Sequence, residues 1–208
     1  MFVDSQTALP TIGELLAALG VETTPVFPET PGAPVVAVDT PEEWEEVARE
    51  YLPACYRAWA LPAFEDATGP EAQWADNVVI MAWRLSRPVD STAVMRCAYT
   101  DSRRLPQWCE LGGQAREHGG FPSAAIRGTY AHGELTLWCS TRYVVVDTLD
   151  GQHLVQLTVT TLADENDDGR YIADSVSVRA SYAGPELPDT GFEQEIDVSE
   201  AGGTAFRI

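Results

Sequence analysis

The sequence has no lysine. Its thirteen basic residues are all arginine, set against thirty-two acidic residues, for a net charge of −19 at pH 7. Without lysine there can be no G-x-x-x-x-G-K-[ST] phosphate loop, so Gly112-Gly113 and Gly119-Gly120 do not mark one. A surface this acidic repels nucleic acid and anionic membranes, which excludes both as general partners. No apolar run approaches the roughly 20 residues that cross a bilayer, so no membrane insertion is expected. The opening MFVDSQTALP has neither the basic region nor the apolar stretch of a signal peptide. The location expected of the chain as written is therefore cytoplasmic; it becomes the cell envelope or the exterior if a leader was removed.

Cysteine and histidine are also scarce. The four cysteines at 55, 97, 109 and 139 form no CxxC pair and no zinc spacing. Cys139, beside Trp138, reads as a packed core thiol. Cys97 and Cys109 would pair only in an oxidising compartment, and free thiols are expected. His132 sits in a turn and His153 starts a strand, and neither is placed like a base held by packing. His118, in REHGG, is the histidine placed for function, with a loop histidine of no role as the competing reading. Cys109 and His118 would make a nucleophile and base only if their shared loop folds back. There is no G-x-S-x-G elbow. ADENDDG at 163–169 fails as a calcium loop, because its glycine comes late and no glutamate stands at position twelve. No enzyme, cofactor or metal is expected.

A core, by contrast, is well supplied. Hydrophobic residues make up 45% of 208, with six Trp, seven Tyr and six Phe, too many for a disordered chain. The densest signal lies at 124–162. Three strand-like runs, AAIRGTYA, ELTLWCSTRYVVVD and HLVQLTVTTL, are joined at His132-Gly133 and Asp150-Gly151. Such spacing predicts an antiparallel meander. VVIMAWRLS at 78–86 is nearly all apolar and reads as a strand buried on both faces. VVAVD at 35–39 and CYRAWALP at 55–62 are shorter strand candidates.

Helices are expected after Thr11, whose capping box with Glu14 opens a segment that stops at Gly20. Another is expected after Thr40, where Pro41 is a natural first helical residue and Trp44, Val47 and Tyr51 share a face. The acids at 42, 43, 45 and 46 suit its first turn and a solvated face. A third follows Asp90. Residues 101–123 read as a long irregular loop, and 163–170 as an acidic one. Residues 171–181 are helix-like at the start and strand-like at Val176, Val178 and Ala180. The organisation is a lead-in at 1–10, one α+β domain at 11–182 and an acidic tail at 183–208. The fold class is α+β, with a central antiparallel β-sheet flanked by helices.

ALPTIGELLAALGVETTPVFPETPGAPVVAV resembles the opening of the LpqN/LpqT lipoprotein family of actinobacteria. In that family a threonine-capped helix and a proline-rich passage precede a strand and a Trp, here Trp44. RLSRPVD with RRLPQW, and IRGTYAHGELTLWCSTRYVV with DGQHLVQLTVT, are similar to its middle and closing meander. The lysine-free, Ala/Arg/Asp-rich usage is in keeping with such genomes. The resemblance implies a PsbP-like α/β/α sandwich and a non-enzymatic, envelope-associated binding role toward lipid or protein partners. It carries over no site residues, and the chain departs from the family in showing no lipobox cysteine near its start.

Aromatics on strands are the remaining pointer. Alternation along 135–143 puts Trp138 with Thr136, Ser140 and Arg142, opposite Leu135, Leu137, Cys139 and Tyr143. The apolar face is expected to meet the helices, leaving Trp138 and Arg142 on a mixed face. Trp138 there either packs as core or lines a groove. The candidate ligand-binding residues are Trp83, Tyr130, Trp138 and Arg142, for a lipid or amphipathic small molecule. The alternative is a protein-interaction module, or a homodimer, with no small ligand.

Overall fold

The computed structural model describes residues 9–62, 74–164 and 166–181. The acidic tail and most of FEDATGPEAQWADN, for which a loop is expected, lie outside the described residues.

Helix α1 spans Ile12–Ala18. Its capping box is complete: the Glu14 amide donates to Thr11 Oγ1 at 3.0 Å, and the Thr11 amide donates to Glu14 Oε2 at 2.8 Å. Gly20 ends it with a φ of 65°, the left-handed value that stops a helix. Helix α2 spans Ser91–Cys97 and is capped by Asp90, as expected. Helix α3 is a single turn, Thr100–Arg103.

The meander is present as β7 (Ser123–His132), β8 (Leu135–Thr148) and β9 (Gly151–Leu162). The other main-sheet strands are β1 (Thr23–Pro25), β3 (Glu45–Glu46), β4 (Arg57–Ala60), β5 (Asn77–Leu85) and β6 (Cys109–Ala115). The order across the sheet is β3-β4-β5-β9-β8-β7-β6, with β1 also paired to β5. Every pairing is antiparallel.

Two layers cover this sheet. On one side α1 and α2 bury Ile12, Leu16, Val94 and Met95 against Tyr143, Val145 and Leu154. On the other lie helix α4 (Asp167–Ser175) and the small pair formed by β2 (Val35–Ala37) and β10 (Ser177–Arg179). They bury Ile172, Ala173, Val176 and Val178 against Trp138, Val144, Val146 and Val159. Ile172 is fully buried. A side chain of that size contributes about 1.5–3 kcal/mol, enough to hold a helix too short to persist alone. The arrangement is the α+β sandwich expected.

Four expectations are corrected. The segment after Thr40 is not a helix. Its chain turns at Pro41–Trp44, then pairs as β3 with Ala60 and Trp59, burying Trp44. Tertiary pairing overrides a locally good helix start. The loop at 101–123 contains α3 and the edge strand β6. All seven β6 residues are exposed, so its sequence shows no apolar alternation. The acidic stretch at 163–170 is in part the first turn of α4, where Asp167 and Asp168 suit the helix dipole. The strand with the longest buried run is β8, over Leu137–Val146, rather than β5, because β8 lies between β7 and β9 with a layer on either side. The ambiguous 171–181 is both things in turn, the end of α4 and then β10.

Candidate functional site

The pleat divides the four candidate residues between the two faces. Trp138 pairs with Thr161 and Arg142 with Leu157, and both side chains lie on the α4 side. Trp83 pairs with Leu154 and Tyr130 with Leu137, on the α1/α2 side. The mixed face of β8 is not open, because α4 and its neighbours cover it. Trp138 is 1% exposed and Arg142 5%. Trp138 supports the start of α4, and a Cβ on Gly169 would stand 3.1 Å from its ring.

Trp83 and Tyr130 remain half-buried. They line two adjoining clefts on the same face of the sheet. The cleft at Trp83, of about 470 Å³, is walled by Ile12, Leu16 and Leu154. The cleft at Tyr130, of about 210 Å³, is walled by Leu105 and floored by Cys139, Thr141, Thr158 and Thr160. Asp101, Tyr143 and Gln156 line both, so the two make one groove with a polar middle. The floor follows from register. Tyr143 stands opposite Gln156, Thr141 opposite Thr158, and Cys139 opposite Thr160. The β9 run HLVQLTVTTL carries this signal openly. Gln156, Thr158 and Thr160 alternate with Leu157 and Val159, a polar stripe on one face of a strand. Alternation along β8 alone does not show it. Asp101 carries no such signal, since α3 places it.

At the middle of the groove the Tyr143 hydroxyl donates to Asp101 Oδ2 at 3.4 Å. Burial, and then the charge of Asp101, pushes the Tyr143 phenol up, so it stays protonated. Asp101 as a residue is exposed, yet desolvation of its carboxyl raises its pKa against the opposing pull of the Tyr143 bond. Burial likewise raises Tyr130. The groove thus presents neutral hydroxyls and one carboxylate, with an apolar end at Trp83 and a threonine-floored end at Tyr130. It offers hydrogen bonds and apolar surface.

Cys109 and His118 do not meet. Cys109 pairs with Thr129 at one end of the β6–β7 hairpin, and His118 lies beyond the other end, where Ala115 pairs with Ala124. At strand rise the hairpin alone separates them by about 20 Å. His118 Nε2 lies 2.9 Å from the Val176 carbonyl oxygen, tying the hairpin to the segment after α4. His153, contrary to expectation, is held by packing, at 1% exposure opposite Val146. Burial lowers its pKa and keeps it neutral. All four cysteines are free, with Cys139 buried as expected. Among the described residues no group of three or more His, Cys, Asp or Glu side chains is placed to hold a metal. No described helix is long and apolar enough to cross a membrane.

Comparison with known proteins adds a family. The family model described as "Probable lipoprotein LpqN" matches residues 9–177. The "Proline-rich 28 kDa antigen" of Mycobacterium tuberculosis is 28% identical over 126 residues, covering 61% of this chain and 39% of that protein. The match therefore spans about two fifths of that relative's length. The "Putative lipoprotein LpqT" of the same organism is 27% identical over 170 residues, covering 78% of this chain and 70% of that one. A crystal structure of LpqN, described as involved in cell envelope biogenesis of Mycobacterium tuberculosis, superposes with a TM-score of 0.69 at 22% identity. It covers 82% of this chain and 98% of that one. At that identity the likeness speaks for the fold.

Proposed function

The chain belongs to the family described as "Probable lipoprotein LpqN", and from that premise we propose that it is a non-enzymatic binding domain of the cell envelope which holds a lipid or another amphipathic small molecule. The observation that carries this reading is the groove running from Trp83 to Tyr130. Its Trp83 end suits an apolar chain or ring, and its middle, at Asp101, Tyr143 and Gln156, suits a polar group that both donates and accepts hydrogen bonds. Together the two clefts are of ordinary ligand size. The family's lipoprotein description and the envelope role stated for LpqN support the location.

Native mass spectrometry of the full chain purified from its own host tests the reading. The expected result is a co-purifying amphiphile that is lost on substitution of Trp83 and Tyr130 by Ala. A chain that carries none, and that takes up no fluorescent fatty-acyl probe in solution, would overturn it.

A second reading rests on the β6 edge. This strand is exposed over its whole length and its outer side has no partner strand among the described residues, the geometry by which a partner adds a strand to a sheet. Under this reading the domain is a protein-interaction module. Placing Pro at Ala115, whose amide points away from β7, would abolish a protein complex and leave acyl-probe uptake unchanged; the groove substitutions would do the reverse.

A further inference from the structure

A second cavity, of about 370 Å³, lies on the opposite face of the sheet, between β6 and α4. It is lined by Ala125, the Gly112–Gly113 backbone, Gln114 and Leu111, with the buried Trp138 beneath. Arg127 and Arg170 stand at its rim. A bulge between Glu110 and Gly112 shapes the β6 side, where glycine leaves the room that a side chain would fill.

The charge around this cavity is unusual for the chain. Net charge is −19, yet Arg116, Arg127, Arg142 and Arg170, four of its thirteen arginines, gather here. Arg142 stands directly opposite Ala125, the cavity wall. It is 95% buried, and its Nε is a buried donor with no partner among the described residues. The side-chain hydrogen bond it makes there, from Nη1 to Ser123 Oγ, is 3.5 Å long. Arg127 and Arg116 both act against its charge, and the carboxylate acting for it is Asp174. Asp174 is already engaged by Arg127. Arg116 and Arg170 have no ion pair among the described residues.

Burial lowers the Arg142 pKa, yet a guanidinium starts so far above neutrality that it stays charged. Leaving it beside two like charges with one shared carboxylate is costly. An oxyanion drawn into the neighbouring cavity offsets that cost, and paired guanidiniums bind carboxylate and phosphate oxygens in a matched fork.

We propose that the cavity between β6 and α4 is a binding site for a small organic anion, a carboxylate or phosphate ester with a small apolar body. Its charged oxygens meet Arg127 and Arg170, its apolar body lies along Leu111 and the Gly112–Gly113 backbone, and Arg142 supplies the field from beneath. The site is separate from the Trp83–Tyr130 groove, on the other face of the sheet, and neither depends on the other being filled.

The test is an NMR titration of the full chain with sodium benzoate, following the arginine Nε–H and tryptophan indole signals at constant ionic strength. Benzamide, a neutral molecule of nearly the same shape, is the control. Saturating shifts at Trp138, Arg127 and Arg170 with benzoate and not with benzamide are expected. Arg170→Gln, an exposed helix position that leaves the fold intact, should weaken benzoate by about tenfold, the loss of one charge-assisted hydrogen bond. Arg127→Gln should weaken it further. Shifts that do not saturate, equal shifts with benzamide, or unchanged affinity in Arg170→Gln would each overturn the proposal.

Discussion

The Tyr143 hydroxyl, from the centre of β8, reaches Asp101 on the one-turn helix α3 at 3.4 Å. That bond pins a short helix to the sheet and sets the polar middle of the groove. Of the influences on Asp101, burial raises its pKa most, and the Tyr143 bond acts in the other direction.

Removing the donor should therefore raise the Asp101 pKa further. In Tyr143→Phe the carboxyl loses its hydroxyl partner and keeps its desolvation. A carboxyl with a raised folded pKa favours the fold below its unfolded value, and that contribution is lost as pH rises through the folded value. Carbon-detected titration of the Asp101 carboxyl reads the shift. A lower pKa in the variant would show that the bond does not stabilise the charged form.

Glu14 behaves in the opposite sense. Its carboxylate accepts from Arg104 of the α3 C-cap and from the Thr11 amide, and the two hold its pKa near 2 against an ordinary 4.5. A depressed acid stabilises the fold above its unfolded pKa, and the contribution is lost as pH falls through the folded value. Stability is expected to drop between about pH 4.5 and about 2. In Glu14→Gln that part of the drop should vanish, measured by urea denaturation at stepped pH. Because the pair is exposed, salt should shrink the difference.

Gly169 offers a test of packing against propensity. In an open helix, alanine would gain about 1 kcal/mol over glycine. Here a Cβ would meet Thr161 Cγ2 at 2.7 Å and Trp138 Cζ3 at 3.1 Å. Overpacking of that kind costs about 1–3 kcal/mol. Gly169→Ala should lower the melting temperature, and a rise would mean that α4 shifts outward at little cost.

Arg142→Met replaces a buried, poorly paired cation by an apolar side chain of similar length. Such exchanges are neutral or stabilising by about 1–4 kcal/mol, because the desolvation cost disappears. Chemical denaturation should show no loss of stability. A loss above about 2 kcal/mol would mean that Arg142 is a structural tie whose bonds outweigh that cost.

The parts of the fold legible from residue order are those with local causes. Thr11 and Glu14 cap α1 by themselves, Asp90 caps α2, and Gly133 and Gly151 close the meander turns with φ of 61° and 124°. The alternation in β8 and β9 assigns each residue to a face. Trp83 and Tyr130 were within reach as aromatic strand residues, and the Gln156, Thr158 and Thr160 stripe is as plain. The strands β3 and β6 were not legible. Both are exposed edges with no buried face, so no apolar periodicity announces them.

Which face of the sheet would be open was decided in three dimensions. Period-two order says that Trp138 and Arg142 share one side and Tyr143 the other. It does not say that α4, which starts at Asp167 after β9 ends at Leu162, folds back over the first pair. Nor does it say that α1 and α2 stop short of Thr141, Thr158 and Thr160 and leave the groove. Local sterics and hydrogen bonds act between near neighbours and are written in residue order. Coverage of a face depends on where distant apolar surfaces find each other, a non-directional attraction that only the assembled chain resolves.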